Sequence, residues 1–190
     1  MKGGIMMNAG EALEKLKEGN KRYIASERGN GDISPARRLE TAGHGQEPYA
    51  VIVACSDSRV IPEEIFSAGI GELFVIRVAG NVVGAHELGS IEYALEHLDC
   101  KLVVVLGHTN CGAVGAAIRH DPDGHIKYLT DAIRLAIRDE TDDRKASCLN
   151  AKHGADKIRK AFLRDLPEEK GILVTAALYH IDSGKVDFDI

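Results

Sequence analysis

Four short apolar runs constrain the fold of this chain more than any other feature of its sequence. Each is continuous, rich in Val, Ile or Leu, and free of charged residues: Tyr49–Ala54, Leu73–Ile76, Leu102–Leu106 and Ile172–Leu178. Strands that alternate apolar and polar residues have one solvated face, whereas continuous apolar runs are typical of strands buried on both faces. We therefore predict a central sheet built from these four segments.

Segments with helical patterns lie between these runs. They are Glu63–Ser67, Ala85–Leu98, the segment that Cys111 opens, Ile126–Arg138 and Ala151–Leu166. Alternation of strands with helices predicts an α/β fold, with a central, mainly parallel sheet flanked by helices.

Both ends of the chain add an element to this core. Asn8 is a suitable N-cap for an amphipathic N-terminal helix that reaches Ser26, within a leading helical arm over about residues 8–28. Near the other end, Asp182–Gly184 predicts a hairpin turn into Lys185–Phe188, which would add a C-terminal antiparallel edge strand.

Length and charge limit the classes of protein that need consideration. With 190 residues, 44% of them hydrophobic and 28% charged, we expect residues 1–190 to form a single globular domain. The net charge of −5 argues against nucleic acid or an anionic membrane as a partner. No apolar run approaches the roughly 20 residues that span a bilayer, and the start lacks the apolar stretch of a secretory signal. Four cysteines in a chain of this size indicate reduced thiols and a cytoplasmic location.

Thiol and imidazole groups follow two of the predicted strands. Cys55 comes directly after the first strand, and His108 and Cys111 follow the third. The carboxyl ends of parallel strands meet at one edge of a sheet, so these side chains can converge there. A lone cysteine or histidine is usually structural, but two thiolates with one imidazole suit tetrahedral zinc and leave its fourth position open. The sequence therefore predicts one zinc ion per chain, with Cys100 and Cys148 as buried thiols outside the site.

A carboxylate and a guanidinium follow Cys55 by two and four residues. Asp57 and Arg59 are close enough in sequence to form a charge-assisted pair on the open side of the metal. On a protein surface such a pair contributes only about 0–1 kcal/mol. Beside a metal ligand, a functional role is favoured, because an ionised carboxylate accepts hydrogen bonds from a reacting water.

Four segments of the sequence resemble the β-class carbonic anhydrases, and the similarity covers most of the chain. They are Cys55-Ser-Asp-Ser-Arg-Val, Arg77-Val-Ala-Gly-Asn, Ile91-Glu-Tyr-Ala and Gly107-His-Thr-Asn-Cys-Gly. The resemblance implies reversible hydration of carbon dioxide to bicarbonate and a proton by zinc-bound hydroxide. It also implies that the zinc ligands are Cys55, His108 and Cys111, and that Asp57 and Arg59 form a catalytic dyad.

The same resemblance implies a set of substrate-binding residues. They are Gln46, the pocket-lining Phe74, Ala79 and Tyr93, and the backbone amide of Gly112. Ala79 stands where the plant-like members of the family have a bulkier Val. The family forms dimers or larger assemblies with the active site at the subunit interface, so we expect a homo-oligomer.

The residue at position 52 indicates which subtype of the family the chain resembles. Some members of the family have a tryptophan three residues before the first cysteine ligand, and in them the aspartate closes onto zinc. Here that residue is Ile52, and the chain contains no tryptophan. With Gln46 present, the chain resembles the plant-like, open-site members, in which Asp57 would not bind the metal.

Two other functions remain open at this point. Carbon disulfide or carbonyl sulfide hydrolases resemble this family and use the same zinc ligands, so the sequence separates them poorly from an enzyme acting on carbon dioxide. A noncatalytic zinc- or bicarbonate-binding module would have Asp57 permanently on the metal. Arg59 argues against the module, because it offers the carboxylate another partner.

Overall fold

The computed structural model describes residues 7–26, 31–120, 124–162 and 171–190. Its helices are α1 (Ala9–Ile24), α2 (Pro35–His44), α3 (Pro62–Ile65), α4 (Ala85–His97), α5 (Gly112–Ile118), α6 (Lys127–Ile137) and α7 (Asp143–Phe162). Its strands are β1 (Ala50–Ala54), β2 (Leu73–Arg77), β3 (Leu102–His108), β4 (Leu173–Tyr179) and β5 (Val186–Asp187). Short 3₁₀ helices cover Ala79–Asn81 and Gly124–Ile126. Within the described ranges, no helix has the length and hydropathy needed to span a bilayer.

The five strands form one sheet in the order β2-β1-β3-β4-β5. The pairs among β2, β1, β3 and β4 are parallel, and β5 pairs antiparallel with β4. This topology confirms the predicted α/β fold with a mainly parallel sheet, an N-terminal helix and a C-terminal antiparallel strand. The single-domain organisation over residues 1–190 stays a prediction.

Helices cover both faces of the sheet, which explains why the strands are apolar throughout. On β1, Ile52 packs in one core cluster with Leu16 of α1, while Val53 packs in another with Ile91 of α4 and Ile158 of α7. All five side chains are fully buried. Successive side chains of a strand point to opposite faces, so a strand between two helical layers needs an apolar residue at every position.

The helix α2 was not predicted, because no side chain on it is buried and apolar periodicity is therefore missing. Its start is nevertheless encoded: Ser34 is the N-cap, its side chain accepts a hydrogen bond from the Arg37 amide, and Pro35 occupies the first turn.

Helix α7 begins at Asp143 instead of at the predicted Ala151. The mixed charges before Ala151 obscured a buried stripe of mostly small residues, among them Ala146 and Ser147. The predicted ends of this helix at Leu166 and of the leading arm at residue 28 lie outside the described residues.

Candidate metal centre and its surroundings

Two neighbouring strands deliver three potential metal ligands to one point. Cys55 follows the last residue of β1, and His108 is the last residue of β3, the strand paired beside it. Cys111 is the N-cap of α5, which starts directly after the turn that leaves β3. The potential ligand atoms of the three residues lie within 4.8 Å of one another, and all three residues are buried. The convergence predicted for Cys55, His108 and Cys111 is therefore present.

The imidazole of His108 is oriented by its own backbone turn. Its Nδ1 lies 3.0 Å from the carbonyl oxygen of Thr109, so Nδ1 carries the proton and donates it. Its Nε2 is buried and has no hydrogen-bond partner among the residues that the structure describes. A buried nitrogen lone pair without a partner is unfavourable. An imidazole fixed in this tautomer with a free Nε2 is what a metal ligand requires, so the donor set fits zinc.

The two thiols are not equivalent. The Cys55 sulfur accepts hydrogen bonds from the backbone amides of Asp57, at 3.4 Å, and Gly80, at 3.2 Å. A hydrogen bond from the Cys111 thiol is the main cause that lowers the pKa of Cys55, and the two backbone amides add to it. The pKa of Cys111 is raised because its proton bonds to the Cys55 sulfur and because the thiol is buried. One thiolate thus forms readily, and a bound dication would release the second proton.

Asp57 and Arg59 form a two-pronged pair beside the thiols. The Arg59 Nε and Nη2 atoms donate to the two carboxylate oxygens over 2.9 and 2.7 Å, and the Arg59 amide donates to one of them over 3.0 Å. The Arg59 hydrogen bond holds the pKa of Asp57 well below its usual range. The guanidinium also donates to the carbonyl oxygen of Asn110, in the turn between His108 and Cys111. The carboxylate is thus ionised and fixed in orientation.

Arg77 is a residue of the site that the sequence analysis did not single out. It is the last residue of β2, and its guanidinium donates to the carbonyl oxygens of Cys55, at 3.2 Å, and Asp57, at 2.7 Å. It thereby fixes the backbone turn that carries both side chains. Its place at a strand end, in the motif Arg77–Asn81, was the available signal.

The other two cysteines lie apart from the metal-ligand group. The Cys100 thiol donates to the carbonyl oxygen of Pro48, and burial raises its pKa to about 12. Cys148 is half-buried on α7, where burial also raises the pKa of its thiol. Neither is a thiolate at neutral pH.

The residues expected to bind substrate fall into two groups. Ala79 precedes Gly80, whose amide bonds to the Cys55 sulfur, and Gly112 follows Cys111, so both lie beside the metal-ligand group. Phe74 instead pairs with Val51, which precedes Cys55 by about 13 Å along the strand.

Gln46 and Tyr93 lie on the side of Phe74. The rings of Phe74 and Tyr93 are 6.2 Å apart, and the ring of His97 lies 5.2 Å from that of Tyr93. Gln46 and His97 line one cavity at the amino ends of the strands. Within one chain, Gln46, Phe74 and Tyr93 are thus grouped together but are not brought to the metal-ligand group.

Comparison with known proteins gives one consistent family. The sequence model of the family described as "Carbonic anhydrase" matches residues 50–186. Carbonic anhydrase 2 of Mycobacterium tuberculosis is 46% identical over 124 residues, which cover 64% of this chain and 59% of the relative, so the match spans less than two thirds of that protein. A carbonic anhydrase of Mycolicibacterium smegmatis is 31% identical over 93% of this chain and 91% of its own length.

Among solved structures, the fold matches a fungal enzyme closely. The β-carbonic anhydrase CafA of Aspergillus fumigatus superposes with a TM-score of 0.72 at 26% identity, covering 94% of this chain and 88% of that one. The family match covers β1 to β4 and the Cys55–His108–Cys111 group and ends at the first residue of β5. The chain therefore belongs to the β-class carbonic anhydrase family.

Proposed function

We propose that the protein is a zinc-dependent carbonic anhydrase that catalyses the reversible hydration of carbon dioxide to bicarbonate and a proton. The observation that carries the proposal is the convergence of two thiols and an unpartnered imidazole Nε2 beside a carboxylate held by arginine. Family membership supports it, because the relatives described above are named carbonic anhydrases.

One zinc ion per chain would be held by Cys55, His108 and Cys111. These residues form the one group of this kind in the ranges that the structure describes. When bound, zinc lowers the pKa of water so that a hydroxide nucleophile is available near neutral pH. Two thiolates would neutralise the charge of the dication, which suits a buried centre.

Asp57 and Arg59 would orient the reacting oxygen. An ionised carboxylate only accepts hydrogen bonds, so Asp57 would accept the O–H of the attacking water and turn its lone pair towards the carbon of the substrate. Arg59 would keep Asp57 ionised and prevent it from rotating. The same contact supports the open-site, plant-like subtype, because Arg59 donates a hydrogen bond to each carboxylate oxygen of Asp57. Ile52, fully buried in the core, is consistent with that subtype.

The substrate pocket would be shared between two copies of the chain. Ala79 and the Gly112 amide lie beside the metal-ligand group of their own chain, whereas Gln46, Phe74 and Tyr93 form a separate group. Within this group, Phe74 pairs with Val51, about 13 Å along the strand from Cys55. The second group would complete the site of a partner subunit. In support, β2 is at the edge of the sheet, and no described segment pairs with its outer side. Tetrameric β-carbonic anhydrases are known from Sordaria macrospora, at 25% identity and a TM-score of 0.62.

A cytoplasmic location is part of the proposal. It is supported by the four cysteines of the chain, all of which are free thiols in the structure.

The direct test of the reaction compares substrates. Zinc-loaded protein should hydrate carbon dioxide in a stopped-flow assay with a pH indicator, and should turn over carbonyl sulfide and carbon disulfide far more slowly. Faster turnover of either sulfur compound would assign the site to hydrolysis of those molecules. A protein that binds zinc and bicarbonate but turns over none of the three would be a noncatalytic module.

A further inference from the structure

A buried asparagine is linked to the metal-ligand group through a single glycine. The Gly80 amide donates to the Cys55 sulfur over 3.2 Å, and the Gly80 carbonyl oxygen accepts a hydrogen bond from Asn150 Nδ2 over 2.7 Å. Both hydrogen bonds are buried. Asn150 therefore holds the carbonyl oxygen of Gly80, whose amide bonds to the Cys55 sulfur.

Gly80 does not fix its own conformation. Its φ and ψ are 70° and 17°, in the left-handed region, where glycine is readily accommodated but is equally free to leave. A residue with a side chain could not be placed here to restrict the backbone, because a Cβ at Gly80 would lie 2.7 Å from Ile133 Cδ1 and 3.1 Å from Ala113 Cβ. Rotation of the backbone at Gly80 would turn its amide away from the Cys55 sulfur. An anchor outside the 79–81 turn is therefore needed.

Asn150 has the properties of such an anchor. It is only 4% exposed and lies inside α7, a helix of 20 residues that packs along the sheet. Burial of an amide side chain is costly unless its donors are used. In the same helix, one turn earlier, Ser147 is equally buried, but its hydroxyl has no hydrogen-bond partner among the residues described. Ser147 thus provides a matched position that lacks the connection to Gly80.

We propose that Asn150 is a positioning residue for the metal centre: by fixing the Gly80 carbonyl, it keeps the Gly80 amide aimed at the Cys55 sulfur. The inference rests on the proposed zinc function. An amide that donates to a thiolate stabilises its negative charge and holds the sulfur in the geometry that the metal requires. Nothing in the chemistry of Asn150 itself requires contact with zinc or substrate.

The first readout is metal affinity, measured by competition with a chromophoric chelator. Removal of partners outside the ligand shell typically weakens metal binding about 10–100-fold. We expect that loss in Asn150→Leu, which keeps the approximate size without a donor, and in Asn150→Ala. Ser147→Ala should bind zinc with the affinity of the wild type.

The second readout is spectroscopic and distinguishes positioning from a general loss of stability. In cobalt-substituted protein, the thiolate-to-cobalt charge-transfer band reports the energy of the sulfur lone pairs, which hydrogen bonds to sulfur lower. Loss of the Gly80 hydrogen bond should move this band to longer wavelength in both Asn150 variants and leave it in place in Ser147→Ala. Weaker binding with an unmoved band would show that Asn150 acts only through folding and would overturn the inference.

A measurement on the wild type keeps the inference testable if the variants do not fold. In protein loaded with cadmium-113, the Gly80 amide proton should show scalar coupling to the metal through the N–H···S hydrogen bond. Absence of this coupling would overturn the inference, as would Asn150 variants that bind zinc as tightly as the wild type. If wild-type protein binds no zinc at all, the proposed function fails instead.

Discussion

Both carboxylate oxygens of Asp57 are bound by the guanidinium of Arg59, at 2.9 Å from Nε and 2.7 Å from Nη2. Arg59 in turn donates to the carbonyl oxygen of Asn110, on the loop between two of the proposed ligands. The carboxylate is therefore held relative to both strands that carry the metal-ligand group.

Asp57→Asn should retain zinc but lose turnover by about 10²-fold or more, the range expected for a positioned acid–base group. The amide keeps the shape of the side chain but loses the charge that pairs with Arg59. Zinc content and carbon dioxide hydration, measured on the same sample, test this. Asp131→Asn, which removes a surface carboxylate paired with Lys127, is the control and should be fully active. An Asp57→Asn enzyme with wild-type rates at every pH would contradict the proposed role.

Gly80→Ala should lower the free energy of unfolding by at least about 2 kcal/mol, because the left-handed backbone and the contact with Ile133 both oppose a Cβ. Gly89, inside α4, has open space around it, so Gly89→Ala should raise stability by about 0.5–1 kcal/mol. Urea unfolding of both variants gives the comparison. Equal effects of the two substitutions would mean that the 79–81 turn is not held as described.

Mixing two inactive variants tests whether the site is shared between chains. If Gln46 serves the metal centre of a partner, each site takes Asp57 from its own chain and Gln46 from the other chain. Gln46→Ala and Asp57→Asn then remove different residues of the site. A mixed dimer then contains one site with both residues intact. Equal amounts of the two variants, unfolded together and refolded, should recover about a quarter of wild-type activity, since half of the dimers are mixed. Activity no higher than the mean of the separate variants would place Gln46 in its own chain's site or outside it.

Asp187 should make stability depend on pH in the acid range. Its carboxylate is bound by Lys185 at 2.7 Å and His180 at 2.8 Å, and the Lys185 hydrogen bond is the main cause that holds its pKa below the ordinary 3.8. A lowered pKa in the folded state stabilises the protein above pH 3.8, and this stabilisation is lost as the pH falls through the folded-state pKa.

Asp187→Asn should therefore lower the unfolding free energy by about 1 kcal/mol at neutral pH, a small value because the pair is partly solvated. The difference from the wild type should shrink as the pH falls below 3.8. Urea unfolding at a series of pH values measures it, with the exposed Asp189→Asn as control. A difference that stays constant with pH would contradict the assigned Lys185–Asp187 ion pair.

The sequence predicted those parts of the molecule that depend on local patterns. The four apolar runs became β1 to β4, and the thiols and imidazole at strand ends met because parallel strands end at one edge. Contacts between segments far apart in sequence were not predictable in this way. Asn20 is an example: it lies on α1, and its side chain bonds to the backbone of Gly184 and Val186.

Arg77 and Asn150 escaped the sequence analysis for the same reason. Each acts on the metal-ligand group through a backbone atom of another segment. The motif Arg77–Asn81 marked the segment that carries Arg77 but not this contact, and no motif marked Asn150. Helix α2 was missed because it buries no side chain. The grouping of Gln46 with Tyr93, away from Cys55, likewise emerges only from the arrangement of the strands.

The most direct test of the account is a zinc titration of metal-free protein followed by the rate of carbon dioxide hydration. We predict that the rate rises in proportion to added zinc and stops rising at one zinc per chain, because Cys55, His108 and Cys111 form a single site. Cys111→Ser should show no such rise, whereas Cys148→Ser should match the wild type. Hydration that is independent of zinc, or a Cys111→Ser protein as active as the wild type, would contradict the account.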